Sequence, residues 1–184
     1  ENYIRLSEDI GYEDALVTSP RGSVHVPGLR NNQRVIFENQ DIAEWLWERA
    51  ADFVPTEYDG RGAVGVNELL RFYRYDPGEQ FNWHQDFAYE RDNGERSYLT
   101  CLVYLNDGFE GGETSFEDSY SDDSFDDFSV TPQTGMALFF EHPTHPNGEP
   151  VRSGRKYVLR TDVMYASDEF DDDRGDDYDV DEEW

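Results

Sequence analysis

The chain reads as a mainly β, α+β fold: an antiparallel sandwich or jelly roll with one supporting helix near the N-terminus. Three observations carry that expectation. Strand-like runs of apolar and aromatic residues recur between residues 67 and 165, separated by Gly, Pro, Asn and Asp turns. One earlier segment, Asp41 to Phe53, repeats its apolar residues at helical spacing. Little helical pattern interrupts the strand-like runs, which disfavours a parallel α/β alternation.

Residues 1–30 mix short apolar stretches with turn signals, Ser19-Pro20-Arg21-Gly22 and Pro27-Gly28, and are expected to form one or two short strands and loops. In the helix, Ile42, Trp45, Leu46, Ala50 and Phe53 share a face, Asn39 or Asp41 is available as cap, and Pro55 ends the segment. Strands are expected at 67–75, 81–87, 97–105, 113–116, 136–141 and 155–165. The Ser- and Asp-rich stretch 117–128 reads as a mobile loop. After Ser167 an acidic tail follows, expected to be largely disordered, so the domain is placed at 1–166 with its core at about 67–165. The tail's Asp cluster fails as a calcium loop, because setting Gly175 at the turn puts Phe170 where the first Asp ligand belongs. Arg174-Gly175-Asp176 is read as a chance match to an adhesion tripeptide. No internal repeat is present.

The 184 residues suit one domain, and 12 Tyr, 12 Phe and 4 Trp supply bulk for its core. A lone cysteine, Cys101, excludes an internal disulfide framework and a Cys-based zinc site. No run of about 18 apolar residues exists, so no spanning helix and no membrane partner are expected. The chain opens at Glu1, which suggests that an upstream segment has been removed; a cytoplasmic location is expected from the reduced thiol and the lack of an Asn-x-Ser/Thr sequon. Formal charge is −27, which disfavours nucleic acid as a partner. All but one of the 15 basic residues are arginine, the exception being Lys156. Dense Asp and Glu with almost no Lys suggests adaptation to high salt, which an unfolding midpoint indifferent to KCl would refute. Oligomeric state is left open.

Chemistry concentrates in two places. In Phe81-Asn82-Trp83-His84-Gln85-Asp86-Phe87, a strand-like segment, residues two apart share a face, so His84 and Asp86 project together. Of the chain's four histidines only His25 lies elsewhere; His142 and His145 both offer a third ligand. Two His and one carboxylate on one face of a metal suit non-haem Fe(II), and zinc is the competing ion. Gly154-Arg155-Lys156-Tyr157-Val158-Leu159 then begins a late strand about ten residues after His145. A cation pointing inward there can pair with a dicarboxylate whose other end chelates the metal.

At this point the sequence resembles the prolyl 4-hydroxylase group of 2-oxoglutarate oxygenases, over roughly 67–165. The motifs recur in order: Tyr75-Asp76-Pro77-Gly78 to Phe81 and His84-Gln85-Asp86; Thr100 to Tyr104-Leu105-Asn106; Gly111-Gly112-Glu113-Thr114-Ser115-Phe116. Val130-Thr131-Pro132-Gln133-Thr134-Gly135, Phe139-Phe140, His145, Pro150-Val151 and Gly154-Arg155-Lys156-Tyr157-Val158 complete the set. The resemblance implies a double-stranded β-helix, a form of jelly roll. It implies His84, Asp86 and His145 as Fe(II) ligands. Lys156 would bind the distal carboxylate of 2-oxoglutarate, with Tyr104 donating to the same group, Tyr75 lining the pocket and Thr114 assisting. Arg160 shares the strand parity of Lys156 and is expected to face the cavity; His142 reads as a turn or supporting residue.

Two departures stand out. The stretch between His145 and Pro150-Val151 is one residue longer than in many relatives. Ser97 stands where collagen-type enzymes carry an arginine, with Arg96 one residue away on the opposite parity. The chemistry implied is hydroxylation of an aliphatic C–H with O2, release of succinate and CO2, and ascorbate as a possible reductant; Asp86 argues against the halogenating relatives. A prolyl residue of a peptide is the leading substrate, a free amino acid or other small metabolite the runner-up. A non-catalytic jelly-roll binding module is the reading from another class, and a nucleobase demethylase is disfavoured by charge. The loops 88–96 and 117–128 are expected to act as lids, the Asp-rich one favouring a cationic or neutral substrate.

Overall fold

The computed structural model describes residues 2–19, 22–117 and 127–167. The acidic tail with its calcium-like and tripeptide patterns, the centre of the 117–128 loop and the Pro20-Arg21 turn lie outside the described residues.

The elements run in order α1 (Asn2–Ile10), β1 (Glu13–Asp14), β2 (Val17–Ser19), β3 (Gly22–Val24), β4 (Gln33–Glu38) and α2 (Gln40–Ala50). A 3-10 turn at Ala51–Phe53 leads to β5 (Glu57–Tyr58), β6 (Arg61–Val66), β7 (Leu69–Tyr75) and β8 (Arg96–Tyr104). There follow β9 (Glu110–Gly111), β10 (Thr114–Phe116), β11 (Phe128–Val130), β12 (Ala137–Glu141), β13 (Pro146–Gly148), β14 (Val151–Ser153) and β15 (Lys156–Tyr165).

Strand β15 is the spine of the large antiparallel sheet, flanked by β7 and β8. Its register builds rungs. Lys156 stands beside Tyr75, Val158 between Tyr73 and Tyr104, Arg160 between Arg71 and Leu102, and Asp162 beside Thr100. Side chains alternate along a strand, so these even positions of β15 share one face. The odd positions face the other way, where Leu159 and Val163 pack with Leu70, Phe72, Leu99 and Cys101 into the main core. Helix α2 closes that core with Ala43 and Leu46. Its start is fixed by Asn39, whose Oδ1 accepts from Ile42 N at 2.8 Å, as the sequence anticipates.

A smaller sheet, ordered β11-β10-β13, faces the inner side of the spine, and β9 pairs with β14 beside it. Phe81 makes isolated bridges to Arg30 and to Gly148, joining the N-terminal segment to this smaller sheet.

Three expectations change. The first residues form helix α1 rather than strands and loops; Glu8 near its C-terminal end is held by Arg74, Arg155 and Tyr157 of the large sheet. Strands β4, β5 and β6 extend the large sheet at positions not assigned to strands from sequence. The segment 81–87 is not a ladder strand. Asn82 takes over its backbone groups, with its N–H to Leu29 O at 2.8 Å, its Oδ1 accepting from Trp83 N at 2.8 Å and its carbonyl facing His84 Nδ1.

Candidate active site

The inner face of the spine and the smaller sheet enclose a cavity lined by Tyr73, Tyr75, His84, Asp86, Lys156 and Arg160, with Thr114, Pro146 and Gly148 on the opposite wall. His84 and Asp86 mark one end and Lys156 the other.

At the first end the predicted pair converges. His84 stacks on Phe81 with ring centroids 3.5 Å apart. Its Nδ1 lies 2.8 Å from the Asn82 carbonyl, so Nδ1–H donates and Nε2 keeps its lone pair. That Nε2 is 3.8 Å from Asp86 Oδ1. Burial pulls the imidazole down to about 4 against the opposing field of Asp86, so it is neutral at neutral pH. Burial would raise the Asp86 carboxyl, but Arg160, His84 and the Thr100 hydroxyl outweigh it and hold the group below its ordinary value. A neutral imidazole and an ionised carboxylate are the forms that ligate a divalent metal.

Behind Asp86 runs a directional chain of hydrogen bonds. Tyr89 N–H donates to Ser97 Oγ at 2.8 Å, and Ser97 Oγ lies 2.9 Å from His142 Nε2. His142 Nδ1 is 3.3 Å from Thr100 Oγ1, which donates to Asp86 Oδ2 at 2.7 Å. Because Thr100 gives its proton to Asp86, His142 Nδ1 must donate and Nε2 accept from Ser97. Both ring nitrogens of His142 are therefore engaged, and burial holds the imidazole below its usual range. The chain also accounts for Ser97: the arginine expected of collagen-type enzymes is replaced by the buried hydroxyl at its head.

His145 is half-buried and precedes Pro146, whose carbonyl accepts from His84 N at 3.2 Å. Among the described residues no three His, Cys, Asp or Glu side chains gather closely enough to hold a metal ion. The structure thus brings His84 and Asp86 together and does not gather His145 into one group with them.

At the other end Lys156 is 3% exposed. Its Nζ donates to Gly112 O at 2.7 Å and lies 5.1 Å from the Tyr75 ring centroid and 5.5 Å from that of Tyr104. Among the described residues no carboxylate stands within ion-pair distance of it, and burial pulls the amine down to about 7 despite the more distant Glu113. The Gly111-Gly112 pair makes this possible. Gly111 has φ 78°, and a Cβ there would sit 2.4 Å from Pro150 O; a Cβ on Gly112 would press on Lys156 Cδ at 3.1 Å. Tyr104 donates from its hydroxyl to Thr114 Oγ1 at 2.7 Å, so it touches the cavity through Thr114.

Arg160 faces the cavity as its parity implies, with Nη2 3.2 Å from Asp86 Oδ1 and 3.1 Å from Asp162 Oδ1. Arg96 turns outward, 3.9 Å from Glu90, and does not line the cavity. Sequence reasoning passed over Arg71 and Tyr73, although alternation along β7 puts them on the face of Tyr75. It also passed over Arg30, which no local pattern marks.

No helix among the described residues is long and apolar enough to cross a membrane. A family model described as the 2OG-Fe(II) oxygenase superfamily matches residues 70–161, half of the chain. A protein of Acanthamoeba polyphaga mimivirus named as a prolyl 4-hydroxylase is 27% identical over 149 residues, covering 71% of this chain and 56% of the relative. The chain therefore spans about half of that protein's length. Among solved structures, the viral collagen prolyl hydroxylase of Paramecium bursaria Chlorella virus-1 superposes with a TM-score of 0.58 at 18% identity, covering 90% of this chain and 87% of the other. A prolyl hydroxylase of Trichoplax adhaerens, solved with a hypoxia inducible factor peptide, gives 0.63 at 16% identity, covering 88% and 74%. These likenesses establish the double-stranded β-helix fold.

Proposed function

We propose, since this chain belongs to the 2OG-Fe(II) oxygenase superfamily, that it hydroxylates an aliphatic C–H using Fe(II), O2 and 2-oxoglutarate, releasing succinate and CO2. The observation that carries this is the pairing of two unlike ends in one cavity. The buried Lys156 amine, with no carboxylate partner among the described residues, shares one cavity with a neutral imidazole beside an ionised carboxylate. A dicarboxylate that also reaches a metal satisfies both ends.

Lys156 holds the distal carboxylate, with Tyr75 and the Tyr104–Thr114 pair walling it from solvent. His84 and Asp86 would hold the metal, and His145, one residue before the Pro146 carbonyl that accepts from His84 N, would supply the third ligand. His142 is ill suited to that role because Ser97 and Thr100 occupy both of its nitrogens. When bound, the iron supplies oxygen activation coupled to decarboxylation of the co-substrate. The residues supply position: Asn82 fixes the His84 tautomer, and Thr100 fixes the Asp86 carboxylate. The names of the relatives favour a prolyl residue of a peptide as substrate.

Anaerobic addition of Fe(II) and 2-oxoglutarate should give a visible charge-transfer band. His145→Ala should abolish it together with iron-dependent succinate release, whereas His142→Ala should keep the band and partial turnover while costing about 1–3 kcal/mol of stability from the broken hydrogen bonds. The reverse pattern would make His142 the ligand. An iron-loaded, folded sample with no band would favour a binding module.

A further inference from the structure

Beside the His84–Asp86 end opens a second cleft of about 490 Å³, walled by Arg30, Arg71, Arg160, Trp83, Phe87 and Tyr89 among others. On a chain of formal charge −27 this wall is arginine-rich. Arg71 and Arg160 face each other across the β7–β15 rung and share Asp162, at 3.0 and 3.1 Å. Arg160 also reaches Asp86. Arg34, the fourth arginine of the wall, pairs with Glu13 at 3.6 Å, and the other three guanidinium groups stand against two carboxylates, leaving one positive charge over.

The surplus sits on Arg30. Its residue is 6% exposed, and its guanidinium lies over the Tyr73 ring at 4.4 Å and the Phe81 ring at 4.2 Å. Nε donates to Asn32 Oδ1 at 2.8 Å, but Nη2 is buried with no hydrogen-bond partner among the described residues. No carboxylate among them pairs with it. Stacking on aromatic faces occupies the flat sides of the fork, and with Nε on Asn32 the in-plane donor left for a carboxylate is Nη2. A buried donor left unsatisfied is costly unless a ligand completes it. Phe81 carries Arg30 and also stacks on His84 at 3.5 Å, so an anion on Arg30 lies next to the reacting end of the cavity. Phe87, 78% exposed, and the half-buried Trp83 give the cleft an apolar rim.

We propose that this cleft is the substrate site and that Arg30 binds a carboxylate of the substrate, which is therefore an organic acid with an apolar body. The assignment of the cleft to substrate rests on the oxygenase reading; the anion preference of Arg30 does not need it. It runs opposite to the cationic or neutral substrate expected from the Asp-rich loop. The carboxylate has two possible sources, the main-chain terminus of a free amino-acid derivative or an acidic side chain within a peptide.

The test is binding. The full chain, with Mn(II) and saturating 2-oxoglutarate filling the Lys156 end, is titrated calorimetrically with N-acetylated proline, leucine and phenylalanine and their methylamides. Ac-Asp-Pro-methylamide and its Asn counterpart form the peptide arm, and quenching of tryptophan fluorescence is followed in parallel. At least one carboxylate should bind about 10- to 100-fold tighter than its neutral partner, as a charge-assisted pair in a desolvated site would give. Preference in the first arm identifies a free acid, in the second a side chain. Arg30→Gln should erase the preference while leaving 2-oxoglutarate affinity unchanged. Should that variant fail to fold, Arg30→Lys keeps the charge, loses the planar fork, and should weaken the carboxylate about tenfold. Equal binding of acids and amides, no carboxylate binding at all, or a preference that survives both substitutions would overturn the proposal. If 2-oxoglutarate itself fails to bind while the Arg30-dependent preference persists, it is the oxygenase reading that falls.

Discussion

On the proposed role of Lys156 in holding the co-substrate, its depressed amine predicts a pH-dependent affinity of calculable size. The ammonium is 3% exposed with one carbonyl partner, and burial holds it at about 7, well below the ordinary lysine value. A base whose folded-state value is depressed destabilises the empty protein below that pH, and the penalty fades as pH rises toward the unfolded value. A carboxylate ligand needs the charged form, so above pH 7 binding must take up a proton. The dissociation constant then scales as one plus ten to the power (pH − 7), a rise of about 25-fold, or about 1.9 kcal/mol, between pH 6.5 and 8.5. Anaerobic calorimetry with Mn(II) in place of iron, run in two buffers of different ionisation enthalpy, measures both quantities; near pH 8 about 0.9 proton should be absorbed. Lys156→Arg, charged at every accessible pH, should flatten the slope. An affinity constant within twofold across that range, without buffer-dependent heat, would refute the reasoning, as would an unchanged slope in the arginine variant.

Two further predictions concern the frame around the site. Gly111→Ala forces a Cβ to within 2.4 Å of Pro150 O at φ 78°, and should cost on the order of 2–4 kcal/mol in urea denaturation; unchanged stability would mean that the Gly111 turn is not as described. Asn39→Ala removes the cap on Ile42 N and should lower stability by about 1 kcal/mol, visible as a reduced Tm, while Asn39→Asp should keep most of it.

What the sequence made legible was local. The helix at 41–53 announced itself through a cap, a period and a proline, and β8 and β15 through apolar runs long enough to outweigh their neighbours. His84 and Asp86 do converge, but not for the reason the alternation suggested: Asn82 organises the segment where a ladder was expected. Helix α1 was illegible because the partners of Glu8 sit some 66 to 149 residues away. Strand β4 was hidden by its own exposure, with Arg34 and Glu38 polar, Ile36 at the surface, and Val35 alone fully buried. Arg30 becomes meaningful only once Tyr73 and Phe81 arrive on its two sides. Such tertiary neighbours leave no periodic trace in the chain.

The spine strand has an evolutionary implication. Lys156, Val158, Arg160 and Asp162 are threaded two residues apart, about 7 Å per step along β15. Inserting or deleting one residue would flip the whole series, driving the ammonium into the apolar layer and Leu159 into the cavity. A length change between Lys156 and Asp162 is therefore costly, while replacement of a single codon is not; the irregularities of this strand lie beyond that stretch, from Val163 to Tyr165. The Lys156 end is pinned by Gly112 and two tyrosines, but position 160 touches only the far end. A lineage could exchange that one side chain, and with it the charge set against Asp86 and Asp162, while the register that points Lys156 into the cavity is inherited unchanged.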